Sequence, residues 1–110
     1  MKQYVIDELR PGDTEKLSDY LAQQFGPPSM GTIFWIPIPE TILTSDQAKH
    51  KTCQPHSFAV NLEDSKLVCE LLIRTRNVMR CNCIGYATPE QREWIIQYVD
   101  SLFDHLSLTT

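Results

Sequence analysis

The sequence lacks the signatures that most directly announce an activity. It has no Gly-rich phosphate loop, no His-Glu-x-x-His helix and no G-x-S-x-G elbow, so catalysis by those routes finds no support. No apolar run approaches the roughly 20 residues needed to cross a bilayer. The N-terminus, Met1-Lys2-Gln3-Tyr4-Val5-Ile6-Asp7, has no long apolar stretch after its lysine and does not read as a signal peptide. A cytoplasmic protein is therefore the default expectation, with no membrane partner. In a reducing compartment its four cysteines read as free thiols or ligands, not as a disulfide framework. Positive charge is short as well. The net charge of −4 argues against general nucleic-acid binding.

Apolar residues make up 42% of the chain and charged residues 22%, the balance of a folded globular protein rather than a disordered one. A length of 110 residues suits one hydrophobic core. No repeat, linker or low-complexity stretch divides it, so a single domain over 1–110 is expected. The charge is uneven. Residues 47–86 hold six basic and three acidic side chains, whereas the remainder holds four basic and eleven acidic. An anionic partner would go to the middle of the chain.

Local patterns predict the order β-α-β-(α)-β-β-β-α. Tyr4-Val5-Ile6 reads as a strand. Asp13 reads as the N-cap of a helix carrying the stripe Leu17, Tyr20, Leu21 and Phe25, which Gly26 stops. Thr32 to Ile38 reads as a strand buried on both faces, ending or lying at an edge because Pro37 and Pro39 cannot donate to a ladder. Thr44 with Gln47 forms a capping box for a short helix near 45–51, which must end by Cys53 because Pro55 follows. His56–Leu62, Lys66–Thr75 and Met79–Tyr86 read as strands. Thr88-Pro89-Glu90-Gln91 opens a last helix whose face holds Trp94, Ile95, Tyr98, Val99, Leu102, Phe103 and Leu106. The expected class is α+β, with helices on one face of a mainly antiparallel sheet.

A two-residue turn at Asp64-Ser65 sets Leu62 opposite Leu67, Val60 opposite Cys69, Phe58 opposite Leu71 and His56 opposite Ile73. A three-residue loop at Arg76-Asn77-Val78 then sets Ile73 opposite Cys81 and Leu71 opposite Cys83. This register bears on the soft ligands His50, Cys53, His56, Cys81 and Cys83. It leaves His56 and Cys81 on strands flanking Ile73, about 9.6 Å apart at the backbone, twice the strand spacing. Metal-ligand distances are about 2.0–2.3 Å, so the two side chains could share an ion only by leaning together. The expectation is a thiol-rich core with a satisfied core histidine and no cofactor. The alternative is a zinc- or iron-binding domain built from those five residues. In the core reading Cys69, Cys81 and Cys83 share a buried face, and Cys53 lies in an open loop. A Cys53–His56 cysteine enzyme is a further alternative, although a separation of three residues around a proline does not make a dyad.

The same register places Arg74 opposite Arg80, with Arg76 in the loop between. Like charges directly opposed are destabilising. The three arginines are therefore read as a candidate anion-binding patch, with a solvated, aggregation-blocking edge as the plain alternative. The functional expectation is a small binding or regulatory module, not an enzyme, whose partner is an anionic ligand or an acidic protein segment. Self-association through an edge strand or the last helix is left open.

Overall fold

Capping chemistry and apolar spacing set where each element starts and stops. A computed structural model describes residues 1–108. Within them run β1 (Gln3–Ile6), α1 (Pro11–Phe25), β2 (Ile33–Pro37), α2 (Ser45–Lys49), β3 (His56–Leu62), β4 (Leu67–Glu70), β5 (Leu72–Thr75), β6 (Gly85–Tyr86) and α3 (Pro89–His105). Short 3₁₀ turns at Glu40–Ile42 and Lys51–Cys53 flank α2. The fold is α+β with an antiparallel six-stranded sheet.

Helix α1 begins earlier than its sequence suggests. Pro11 takes the first helical position, where a missing N–H costs nothing. Asp13 sits in the first turn and is not the N-cap. Its carboxylate accepts from the Arg10 backbone N–H at 3.3 Å and from Arg10 Nε at 3.1 Å. The Arg10 hydrogen bond holds the Asp13 carboxyl below its usual pKa. Gly26 ends the helix at φ 87°, a backbone conformation natural to glycine. Helix α3 opens with the expected box: Thr88 Oγ1 accepts from Gln91 N at 3.2 Å, and Gln91 Oε1 accepts from Thr88 N at 3.1 Å. The buried Gln91 amide also donates to Ile42 O at 2.8 Å and to Gln47 Oε1 at 2.9 Å. One side chain thus caps α3 and ties it to α2.

Alternate strand residues form one apolar face. Phe34 and Ile36 of β2, Phe58, Val60 and Leu62 of β3, and Leu67, Cys69 and Ile73 of β4 and β5 pack with Leu17 and Leu21 of α1 and Ile95 and Val99 of α3. Trp94 stacks near Phe58 with centroids 6.2 Å apart and on Tyr98 at 5.5 Å. Among the described residues, α1 and α3 pack on this face and no helix packs on the opposite one. Strand β2 is consequently buried on one side only, with Ile33 and Trp35 half-exposed, and not on both as its composition suggests. It lies at an edge, where an outer bridge from Ser29 to Ile33 and the missing N–H of Pro37 leave little to pair with.

The register holds beside the turn and fails beyond it. Leu62 pairs with Leu67 and Val60 with Cys69, as expected. Farther on, Ser57 pairs with Arg74 and His56 with Thr75, two residues out of the expected step. The break falls at Leu71, where the strand changes outer partner: Leu71 N donates to Lys2 O of the β1 side, and Leu71 O accepts from Ala87 N of the β6 side. A two-residue shift keeps the alternation, so the core face survives it. The last expected strand shrinks to Gly85–Tyr86. Ile73 faces Gly85 rather than Cys81, and 76–84 runs as an irregular loop.

Candidate metal centre

The loop 76–84 brings together residues that a continued hairpin would have kept apart. At its start the buried Thr75 hydroxyl accepts from Val78 N at 3.1 Å and donates to Val78 O at 3.0 Å. Cys81 O accepts from Ile84 N at 3.0 Å, closing a turn around Asn82 and Cys83. The other half of the centre comes from the end of α2. His50 caps that helix and starts the 3₁₀ turn, in which Cys53 N donates to His50 O at 3.0 Å. In a 3₁₀ turn side chains three apart eclipse, so His50 and Cys53 point the same way. Asn77 Nδ2, donating to Gln54 O at 3.3 Å, ties the two segments together.

The ligand atoms of His50, Cys53, Cys81 and Cys83 all lie within 4.8 Å of one another. Cys53 Sγ and Cys81 Sγ are 3.8 Å apart. An ion bound tetrahedrally by sulfur at about 2.3 Å spaces its sulfurs by about 3.8 Å. His50 Nδ1 lies 3.0 Å from Cys81 Sγ, so Nδ1 is the nitrogen turned towards the thiols. Three thiols and one imidazole suit a soft or borderline ion and do not suit calcium or magnesium. The close mutual spacing fits one ion, whereas a two-iron cluster spreads its ligands over two metals.

The thiols are electrostatically unequal. The Cys83 backbone N–H donates to the Cys81 sulfur, and side-chain hydrogen bonds from Cys83, Cys53 and His50 add to it. Together they pull the Cys81 thiol down to about 7. Burial, followed by its sulfur neighbours, pushes the Cys83 thiol up. Without a cation, therefore, the pocket favours one thiolate over several. A divalent ion would reverse that preference.

Cys81 and Cys83 do not share the core face with Cys69; they lie on the loop, with Cys83 buried and Cys81 half-exposed. Cys53 is buried as well, not free in an open loop. Only Cys69 behaves as the inert core thiol envisaged, paired with Tyr4 and pushed up to about 12 by burial. His56 stays outside the group of four. It is 1% exposed on the core side of β3. It is not the satisfied histidine expected, because neither ring nitrogen has a hydrogen-bond partner among the described residues. Burial, and then the neighbouring His50, lowers its pKa and keeps it neutral. Cys53 faces Cys81 and no dyad with His56 forms.

The opposed arginine pair is also absent. Arg74 pairs across the sheet with Ser57 and donates from Nε to Glu70 Oε1 at 3.0 Å. The Arg76 guanidinium lies over Trp35, 5.7 Å from the ring centroid, and Arg80 is exposed on the loop. The charge repulsion that singled these residues out does not arise. Arg74 and Arg76 still line one cleft of about 290 Å³ with Trp35.

The convergence of His50 with Cys81 was the signal the sequence hid. It requires an irregular nine-residue loop where the residue pattern resembles a strand. Among the described residues no helix is long and apolar enough to cross a membrane. Comparison with protein-family models, curated proteins and solved structures finds no match for this chain.

Proposed function

We propose that this chain is a metal-organised binding module in which His50 Nδ1 and the thiolates of Cys53, Cys81 and Cys83 hold one Zn²⁺. The observation that carries this reading is the convergence of four ligand atoms within 4.8 Å from two loops that share no ladder. Four protein ligands leave no open coordination position, so the ion's role is structural and not catalytic. It would staple the turn at residues 50–53 to the loop at 76–84, segments with little apolar packing of their own. The hydrophobic core lies beside the centre, made by strands and helices that do not need the ion. The ion therefore organises one end of an already folded domain, in contrast to a zinc finger, whose whole fold depends on metal.

Metal content of the purified protein and cobalt substitution test this reading. The expected result is one zinc per chain and, with cobalt, the absorption of a tetrahedral thiolate site. Single Cys53→Ser and Cys83→Ser variants should lose both. A protein that binds neither ion under reducing conditions would refute the reading. A red protein with one iron per chain would keep the ligand set and change the ion.

A further inference from the structure

The helix-free face of the sheet carries a cleft whose walls come from two sources. One wall is the sheet and its edge: Trp35 of β2, Arg74 of β5 and Ser29 of the loop before β2. The other is the 76–84 loop, through Val78 and Met79, with Arg76 at the junction. The cleft encloses about 290 Å³, the low end of ligand-site sizes and suited to one anchoring side chain rather than a cofactor. Arg76 lies over the Trp35 ring, and its Nη2 donates to Ser29 Oγ at 3.4 Å, a long bond that a stronger acceptor would replace. Arg74 gives only its Nε to Glu70, which leaves its Nη groups for another acceptor. Met79 is 97% exposed on the rim, an adaptable apolar contact of the kind that binding surfaces use.

We infer that this cleft binds an acidic segment of a partner protein, a carboxylate between Arg74 and Arg76 with an apolar neighbour against Trp35 and Met79, and that metal at the His/Cys centre controls it. Charge complementarity selects the occupant. Residues 47–86 carry a local excess of three positive charges in a chain whose net charge is −4. Two guanidinium groups beside an aromatic ring suit a planar carboxylate. Control by metal follows from the wall. Val78 and Met79 belong to the loop that Cys81 and Cys83 anchor, so releasing the ion frees one side of the cleft while the Trp35 side stays fixed. This part rests on the zinc reading above; the arginine-lined cleft does not.

The test is binding of a synthetic hexapeptide alternating glutamate and leucine, followed by calorimetry on zinc-loaded and chelated protein whose metal content is measured separately. Inorganic phosphate and the same peptide with glutamine for glutamate are the comparisons. The expected result is saturable binding to the loaded protein, weakened at least about tenfold by chelation, within the usual range of coupling between sites. Arg76→Ala should weaken it similarly without touching metal content, since Arg76 is exposed and holds no core contact. Failure of the loaded protein to bind the peptide, equal binding of the glutamine peptide, or unchanged binding to Arg76→Ala would overturn the cleft. Phosphate binding as tightly as the peptide would make it a free-anion site and overturn the protein partner. Equal peptide binding with and without metal would overturn the control alone. A protein that takes up no zinc yet binds the peptide through Arg76 would sink the zinc reading and leave the cleft.

Discussion

The two ends of β3 are held by different forces. From Phe58 to Leu62 the strand is fixed by burial, with Phe58 and Val60 essentially inaccessible against α1 and α3. At His56 the apolar layer runs out, and the chain beyond it is organised around sulfur and imidazole. The first region is redundant: many side chains share the work, and each contributes through area removed from water. The second depends on a few atoms at fixed distances, so losing one should undo the rest. Thermodynamic stability and local order are therefore expected to separate in this molecule.

The largest expected effect breaks the burial-held region. Phe58→Ala, at a fully buried site beneath Trp94, should destabilise the fold by about 3–5 kcal/mol, read by denaturant unfolding. The loss should be the same with and without metal. Next comes the coordination-held region. Cys53→Ser should weaken zinc binding by more than about 100-fold in competition with a chelator, since even outer-shell changes cost 10–100-fold. Thermal unfolding of the metal-free variant should match that of metal-free wild type. A seam joins the two regions at Gln91, which caps α3 and holds Ile42 O and Gln47 Oε1. Gln91→Ala should cost about 1–3 kcal/mol by orphaning buried partners, and it should weaken zinc binding only modestly by loosening α2, whose end carries His50.

The effect that grows most gradually is that of pH. The Cys83 thiol is pushed up by burial, so it holds its proton at neutral pH without metal and must release it to bind. Binding that releases a proton weakens as protons are added. Zinc affinity should therefore fall at least about tenfold for each unit of pH lost between 8 and 6. A flat profile would mean that the Cys83 thiol is already ionised or is not a ligand.

How much of this was legible in the sequence follows the same division. Both long helices could be read because their stripes and caps are local: Leu17 to Phe25, and Thr88-Pro89 with Gln91. The α+β class and the Leu62–Leu67 turn followed for the same reason. The Met79–Tyr86 strand did not survive. Its residue types resemble a strand, but residues 76–84 run as a loop, so Gly85 rather than Cys81 meets Ile73. The same loop takes Arg80 away from Arg74. His50, Cys53, Cys81 and Cys83 could be picked out as soft ligands. Their convergence could not, because a tertiary contact between two irregular loops leaves no periodic trace. His56 shares only its spacing with that set, and β3 turns it towards the core.

Hydrogen exchange followed residue by residue, before and after chelation of the zinc-loaded protein, separates the two regions amide by amide. Removing zinc should abolish protection at the Cys53 and Ile84 amides, within the two stapled segments, while the amides of β3, β4 and α3 keep theirs. Unchanged protection at both loops would contradict this, and so would loss of protection throughout the sheet.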